Sequence, residues 1–329
     1  LKILYAIQGT GNGHLTRAME ILPYLKKIAK VDVLISGTES TIKFPFDIDF
    51  QYKGMSFVFG ENGGIDYWKT FQLLDTKKFI KSVFDLPTEN YNLVINDFEP
   101  ISAWSAKYKN VPCVSLSHQC AVLSNNVPKP LFIDPVAYSF LKLFAPADKT
   151  FGFHFQHYDD HIYTPIIREQ VRRETVKDKG HVTVYLPSYA DEKLLKKFSQ
   201  FPDVKWEIFS KHTKKEYHKK NISFLPVSNK KFIKSMATSS GVLCGSGFET
   251  PAEALYLKKK LLVIPMKGQF EQECNAYALE KMGVMIMKNL KQKRMYIIDE
   301  WLESKFIPDV EYKNETEEIL ETIIETHRD

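Results

Sequence analysis

Short apolar runs alternate along the chain with stretches in which apolar positions return every three or four residues. Residues 2–7 (KILYAI), 31–36 (VDVLIS), 48–52, 91–97 (YNLVIND), PCVSLSH ending at His118, and 150–156 (TFGFHFQ, with Phe151, Phe153 and Phe155 alternating) predict strands. Between them Ala18, Ile21, Leu22, Leu25 and Ile28 recur at helical spacing in a helix that starts near His14, where Pro23 is expected to introduce a kink. Further helices are expected over 66–84, from Asp97-Phe98-Glu99-Pro100 onward, and near 134–144. After Thr164-Pro165 the alternation restarts, with strands at 181–188, 204–210, 222–227, 242–244 and 261–265. Helices are expected near 191–201, from Asn229, from Phe248-Glu249-Thr250-Pro251, and through Glu271, Gln272 and Asn275. A last amphipathic helix near 313–327 carries Ile319, Leu320, Ile323 and Ile324. Strands alternating with helices in both halves predict an α/β protein of two Rossmann-like parallel-sheet domains, 1–163 and 164–310, with 311–329 as a terminal helix.

Composition changes this picture little. The 329 residues, 44% of them hydrophobic, are enough for two cores. No apolar run approaches the ~20 residues of a membrane span, and no leader pattern stands at the start. The four cysteines show no C-x-x-C spacing, so reduced thiols and a cytoplasmic location are expected. Net charge is +5, but lysines concentrate over 191–234, either as a solvated face or as a surface for anionic lipid or nucleotide. Aromatic residues and arginines do not interleave there, which argues against nucleic acid. His154, His157 and His161 with Asp159 and Asp160 have the look of a metal cluster. The phenylalanine alternation places His154 on a strand, so a polar hinge is the expectation and no metal site is assigned. The loop 53–68, with Phe57, Phe59, Tyr67 and Trp68, suits either a ligand contact or an Ω-loop closed on its own rings.

Candidate chemistry falls at strand ends. Gly9-Thr10-Gly11-Asn12-Gly13 after the first strand suggests a dinucleotide loop, yet the third glycine is displaced and the second strand ends at Ser36-Gly37 without an acid, so NAD binding is rejected. In an open parallel sheet ligands bind at the carboxyl ends of strands, where His14, Asp97 and His118 all stand. Asp97 could equally be a helix N-cap, and His118 could satisfy a turn. In the second half, a strand, the Gly245-Ser246-Gly247 turn and a helix opening with Thr250 and Pro251 form an anion cradle. Glu253, one turn on, could take both hydroxyls of a ribose. Ser188, at another strand end, is a further phosphate contact.

Gly247-x5-Glu253 followed by Pro265-x5-Glu271-Gln272-x2-Asn275-Ala276 resembles the donor-site signature of nucleotide-sugar glycosyltransferases of the GT-B fold. The likeness is to UDP-glycosyltransferases and to the bacterial enzyme that adds N-acetylglucosamine to the peptidoglycan lipid precursor. The runs Gly11-Asn12-Gly13-His14, Asn96-Asp97-Phe98-Glu99-Pro100 and Gly247 to Glu253 are also similar to those of an uncharacterised glycosyltransferase-like subgroup. The resemblance implies two domains facing a cleft, with the terminal helix returning to the first. It implies that Ser188, Gly245, Ser246, Gly247 and Thr250 hold the diphosphate, Glu253 the ribose, and Glu271 and Gln272 the sugar. It implies an acceptor loop at Gly11, Asn12 and Gly13, with His14 as general base oriented by Asp97; His118, at its own strand end, is open between contacting the acceptor and satisfying backbone. Gly245 departs from the histidine of many relatives, and Glu271 from their usual aspartate. The expected reaction is an inverting, metal-independent transfer from a UDP-linked sugar to an acceptor hydroxyl, without a cofactor. The acceptor is open between a lipid-linked envelope glycan, with peripheral contact at the inner membrane face, and a small molecule. A sugar-nucleotide epimerase and a non-catalytic nucleotide-sugar scaffold are the alternatives.

Overall fold

The computed structural model describes residues 1–37, 43–54 and 75–328 of the chain. They gather into two compact units: 1–127 with 131–168 and 313–329, and 128–130 with 169–312. The first unit thus runs on to Arg168 and the second to Tyr312. Of the loop expected over 53–68, positions 55 onward, with Phe57, Phe59, Tyr67 and Trp68, lie outside the described residues. The helix expected over 66–84 is described from Thr76.

The first unit is built on a parallel sheet: β1 (Lys2–Gln8), β2 (Lys30–Ser36), β3 (Phe50–Tyr52), β4 (Leu93–Asp97), β5 (Cys113–Ser117), β6 (Lys149–Phe153) and β7 (Ile162–Tyr163), in the order β3-β2-β1-β4-β5-β6-β7. Ile3 to Ile7 are wholly buried, the continuous apolar run of a central strand covered on both faces. Helices α1 (Asn12–Ile28), α2 (Thr76–Asp85), α3 (Pro100–Lys109), α4 (His118–Leu123) and α5 (Pro135–Phe144) connect the strands. Helix α1 begins at Asn12 and continues through Pro23.

The second unit repeats the plan with β8 (His181–Tyr185), β9 (Lys205–Ser210), β10 (Tyr217–Lys219), β11 (Ile222–Pro226), β12 (Gly241–Gly245), β13 (Lys260–Ile264) and β14 (Met285–Ile286), ordered β10-β11-β9-β8-β12-β13-β14. Only the edge hairpin β10–β11 is antiparallel. Its helices are α6 (Glu169–Arg172), α7 (Asp191–Phe198), α8 (Asn229–Thr238), α9 (Glu249–Tyr256), α10 (Phe270–Lys281) and α11 (Tyr296–Glu303); α12 (Thr316–Arg328) belongs to the first unit. Trp206 and Phe198 meet at 4.5 Å in the core under β8 and β9.

Both sheets grow outward from a central strand in one direction and then the other. The reversal falls between β1 and β4 in the first unit and between β8 and β12 in the second. These are the switch points, where diverging connections leave a crevice at the strands' carboxyl ends.

Candidate functional site

At the first switch point the chain leaves β1 through a glycine loop and enters α1. A Cβ on Gly9 would stand 3.0 Å from Ile35 Cγ2 and from the Ser36 carbonyl, and Gly11 adopts φ +92° as the cap of α1. Asn12 and Gly13 then form the first helical residues and His14 lies in the first turn. Asp97 ends β4 directly across the switch.

The His14 Nδ1 lies 2.8 Å from Asp97 Oδ1. Arg17, one turn beyond His14, grips the same carboxylate, with Nη2 at 2.7 Å from Oδ1 and 2.9 Å from Oδ2 and Nε at 3.1 Å from Oδ2. Asp97 is fully buried, Arg17 nearly so, and the His14 side chain is 12% exposed. Burial pushes the Asp97 carboxyl up, but the Arg17 guanidinium and His14, by charge and hydrogen bond, together hold it below its ordinary value. An ionised carboxylate only accepts, so the His14 proton on Nδ1 donates to it, leaving Nε2 as the accepting nitrogen. The 3.2 Å approach of Arg17 Nη2 to Nδ1 is then a packing contact. The Gln119 amide nitrogen stands 3.5 Å from Nε2.

The run Asn96 to Pro100 divides the labour around this group. Asp97 does not cap α3; Glu99 does, accepting from Ile101 N at 2.9 Å and Ser102 N at 2.6 Å. Asn96 braces the turn, accepting from Glu99 N and donating to the Glu99 carbonyl and Ser102 Oγ. Phe98, in the left-handed region at φ 57°, lays its ring parallel to His14 at 6.4 Å and against Phe144 at 4.6 Å. His118, open between an acceptor contact and a backbone partner, is buried at the start of α4 with its Nδ1 2.8 Å from the Phe153 carbonyl, as the second of those readings has it. Arg17 and Gln119 were not foreseen, although a His-x-x-Arg pair opening a helix puts both side chains on one face.

At the second switch point β12 runs into the Gly245-Ser246-Gly247 turn and α9. Ser246 is buried, and its hydroxyl donates to the Gln272 carbonyl at 2.8 Å. Asn275 Nδ2 donates to the Ser246 carbonyl at 3.1 Å, and Gln272 Oε1 accepts from Met266 N at 3.0 Å. Ser246 and Asn275 therefore stitch the turn to α10, and the Gln272 side chain ties α10 to the loop after β13. Neither Gly245 nor Gly247 has a positive φ; a Cβ on Gly247 would meet no atom within 4 Å, and one on Gly245 only Gln272 Oε1 at 3.6 Å and Ile264 O at 3.9 Å. The fold does not require these glycines. Thr250 and Glu271 are half-buried, Glu253 is 2% exposed in α9, and Ser188 is exposed beyond the end of β8, next to β12.

Within the 154–161 run, His154 Nδ1 accepts from Phe155 N at 2.9 Å and the His161 ring meets Phe151 edge-on at 4.8 Å. Asp159 accepts from Asn126 Nδ2, Ser124 Oγ and His161 N, while His157 Nε2 lies 3.4 Å from Glu315. Among the described residues no group of three or more His, Cys, Asp or Glu side chains is placed to hold a metal ion, and no helix is long and apolar enough to cross a membrane.

Solved structures of similar fold cover nearly the whole chain. A Phytolacca americana UGT2, titled as complexed with UDP-2fluoro-glucose and pterostilbene, has TM-score 0.58 and 14% identity over 100% of both chains. The Acinetobacter baumannii MurG has TM-score 0.56 and 13% identity over 99% of both chains. A UDP-N-acetylglucosamine 2-epimerase has TM-score 0.58 and 12% identity over 100% of this chain and 97% of its own. No curated protein sequence matches. Two parallel α/β units of this kind make up the GT-B fold. The chain belongs to the family described as glycosyl transferase family 1, whose model matches residues 1–304.

Proposed function

We propose that this glycosyltransferase moves a sugar from a nucleotide diphosphate donor, UDP-linked, to an acceptor hydroxyl, with inversion, without a metal, and with His14 as general base. The observation that carries this reading is the His14–Asp97–Arg17 group at the first switch point. Asp97 fixes the imidazole through Nδ1, and Nε2 takes the acceptor proton as the acceptor oxygen bonds to the anomeric carbon. The bond from that carbon to the diphosphate breaks on the opposite face. Negative charge growing on the diphosphate is met by the N–H groups and positive end of α9 beyond Gly247 and by Thr250. Glu253 is assigned to the ribose, Glu271 and the Gln272 amide to the sugar, Ser188 and Gly245 to the diphosphate rim, and Gly11, Asn12 and Gly13 to the acceptor.

The room left at Gly247 supports a ligand there, because nothing in the protein fills it. The likeness to an epimerase shows fold alone, whereas the family match and a base group built at a separate switch point favour transfer to an acceptor. Thermal melting with UDP, GDP, TDP and ADP tests the donor assignment. A ligand at 100 times its dissociation constant adds about 2.7 kcal/mol, so UDP should raise the melting point selectively and Thr250→Ala should reduce the rise. Equal response to all four, or to none, would overturn it. Conversion of a UDP-sugar to its epimer without acceptor would favour the epimerase instead.

A further inference from the structure

Helix α4 is pressed against β6 by three of its first four residues. His118 Nδ1 lies 2.8 Å from the Phe153 carbonyl, Cys120 Sγ donates to the Phe151 carbonyl at 3.0 Å, and a Cβ on Gly152 would stand 2.7 Å from Ala121 Cβ. At about 100° per residue, positions 118, 120 and 121 share one side of a helix and position 119 projects from the other. Gln119 is nonetheless only 6% exposed, because its side chain runs to the base, with the amide nitrogen 3.5 Å from His14 Nε2. Since Nε2 is the accepting nitrogen of the ring, the end of Gln119 that faces it is the donating NH2. The grip of β6 on its neighbours therefore holds an N–H donor at the atom assigned to take the acceptor's proton.

We propose that Gln119 positions the acceptor and selects an oxygen nucleophile over a nitrogen one. The proposal rests on the reading of His14 as the base. A hydroxyl that reaches Nε2 gives its proton to that nitrogen, and its oxygen keeps two lone pairs. One pair forms the bond to the anomeric carbon as the bond from that carbon to the diphosphate breaks. The other accepts the Gln119 N–H, which exchanges Nε2 for the incoming oxygen; an oxygen about 3 Å from each nitrogen spans their 3.5 Å separation. With one lone pair tied to Gln119 and the proton tied to His14, the remaining pair has a fixed direction. A primary amine in the same place also gives one proton to Nε2 but has a single lone pair, and that pair must attack. The Gln119 N–H then meets no acceptor on the nucleophile and faces its second N–H instead. A buried donor that loses its partner is costly, so the amide that favours an alcohol or phenol penalises an amine.

The test is single-turnover transfer from UDP-glucose to p-cresol and to p-toluidine, two acceptors of one shape that differ by a hydroxyl against an amino group. It is run on the full parent chain, Gln119→Leu, Gln119→Met and His14→Ala. The ratio of the p-cresol rate to the p-toluidine rate should fall about tenfold in both Gln119 variants, the worth of one hydrogen bond made in the transition state. The rise in melting point with UDP should stay as in the parent. A purely structural role for Gln119 would slow both acceptors together and leave the ratio unmoved, and two replacements of different shape separate the lost donor from altered packing. His14→Ala should slow both acceptors. An unmoved or rising ratio in the Gln119 variants, with His14→Ala slow, would overturn this proposal and leave the base assignment standing. Undiminished transfer by His14→Ala would overturn the base assignment and this proposal with it.

Discussion

Asp97 is a buried carboxylate that the protein keeps charged by surrounding it with Arg17 and His14. Removing one partner of such a group leaves the other charge in a poorly polarisable interior, so Arg17→Met should cost about 3–5 kcal/mol in denaturant unfolding. Asp97→Asn added to Arg17→Met should recover part of that loss. The acid response follows from the sign of the shift. Because the folded value lies below the ordinary 3.8, the stability Asp97 contributes is complete above that value and is lost as pH falls through the lower folded one. Unfolding free energy should therefore fall with acid below about pH 4, and Asp97→Asn should flatten part of that fall. Gly247 gives the opposite kind of test. With an ordinary backbone and open space at its Cβ, Gly247→Ala should change stability by no more than about 0.5 kcal/mol. It should nonetheless weaken donor binding, measured by calorimetry with UDP, since the methyl would stand in the space proposed for the diphosphate.

At the scale of elements, close approach rather than chemistry explains another glycine. A Cβ on Gly152 of β6 would come within 2.9 Å of the Ala121 backbone in α4. Gly152→Ala should therefore cost about 1–3 kcal/mol in thermal or denaturant unfolding. Much of the element plan was legible, because long apolar runs such as Ile3–Ile7 have only one way to be buried in a parallel sheet. The edge strands β7, β10 and β14 were not, being two or three residues long with no period to detect. The second-half motif was legible as a strand, turn and helix start, but the bonds from Ser246 to the Gln272 carbonyl and from Met266 N to the Gln272 side chain were not. Hydroxyl and amide side chains suit either task, and sequence spacing does not say which carbonyl lies within reach. Asp97 was ambiguous for a similar reason. A carboxylate before a helix is a natural cap, and only the position of Glu99 two residues later assigns the cap elsewhere. Arg17 escaped notice since a helical arginine ordinarily faces water.

Across the whole molecule, the last helix in sequence completes the first unit in space. Ile319, Leu320, Ile323 and Ile324 are buried, Lys149 Nζ donates to the Thr326 carbonyl at 2.5 Å, and Asn314 Nδ2 to Tyr24 Oη at 3.1 Å. Each of those four side chains contributes about 1.5–3 kcal/mol on burial. Deleting 313–329 should thus lower hydrogen-exchange protection in β1 and β4 while leaving β8 and β12 protected, since the second unit has its own core. The same two-unit plan puts one switch point in each sheet, and the proposed reaction assigns the acceptor's proton to one and the donor's diphosphate to the other. The most direct measurement is the single-turnover rate of sugar transfer from a UDP-sugar to an alcohol acceptor for the parent chain and His14→Ala. A loss of about 10²–10⁴ in rate, with UDP affinity unchanged, is the predicted result. Full transfer by His14→Ala, or a loss that merely tracks weakened UDP binding, would contradict the assignment of His14 as the base.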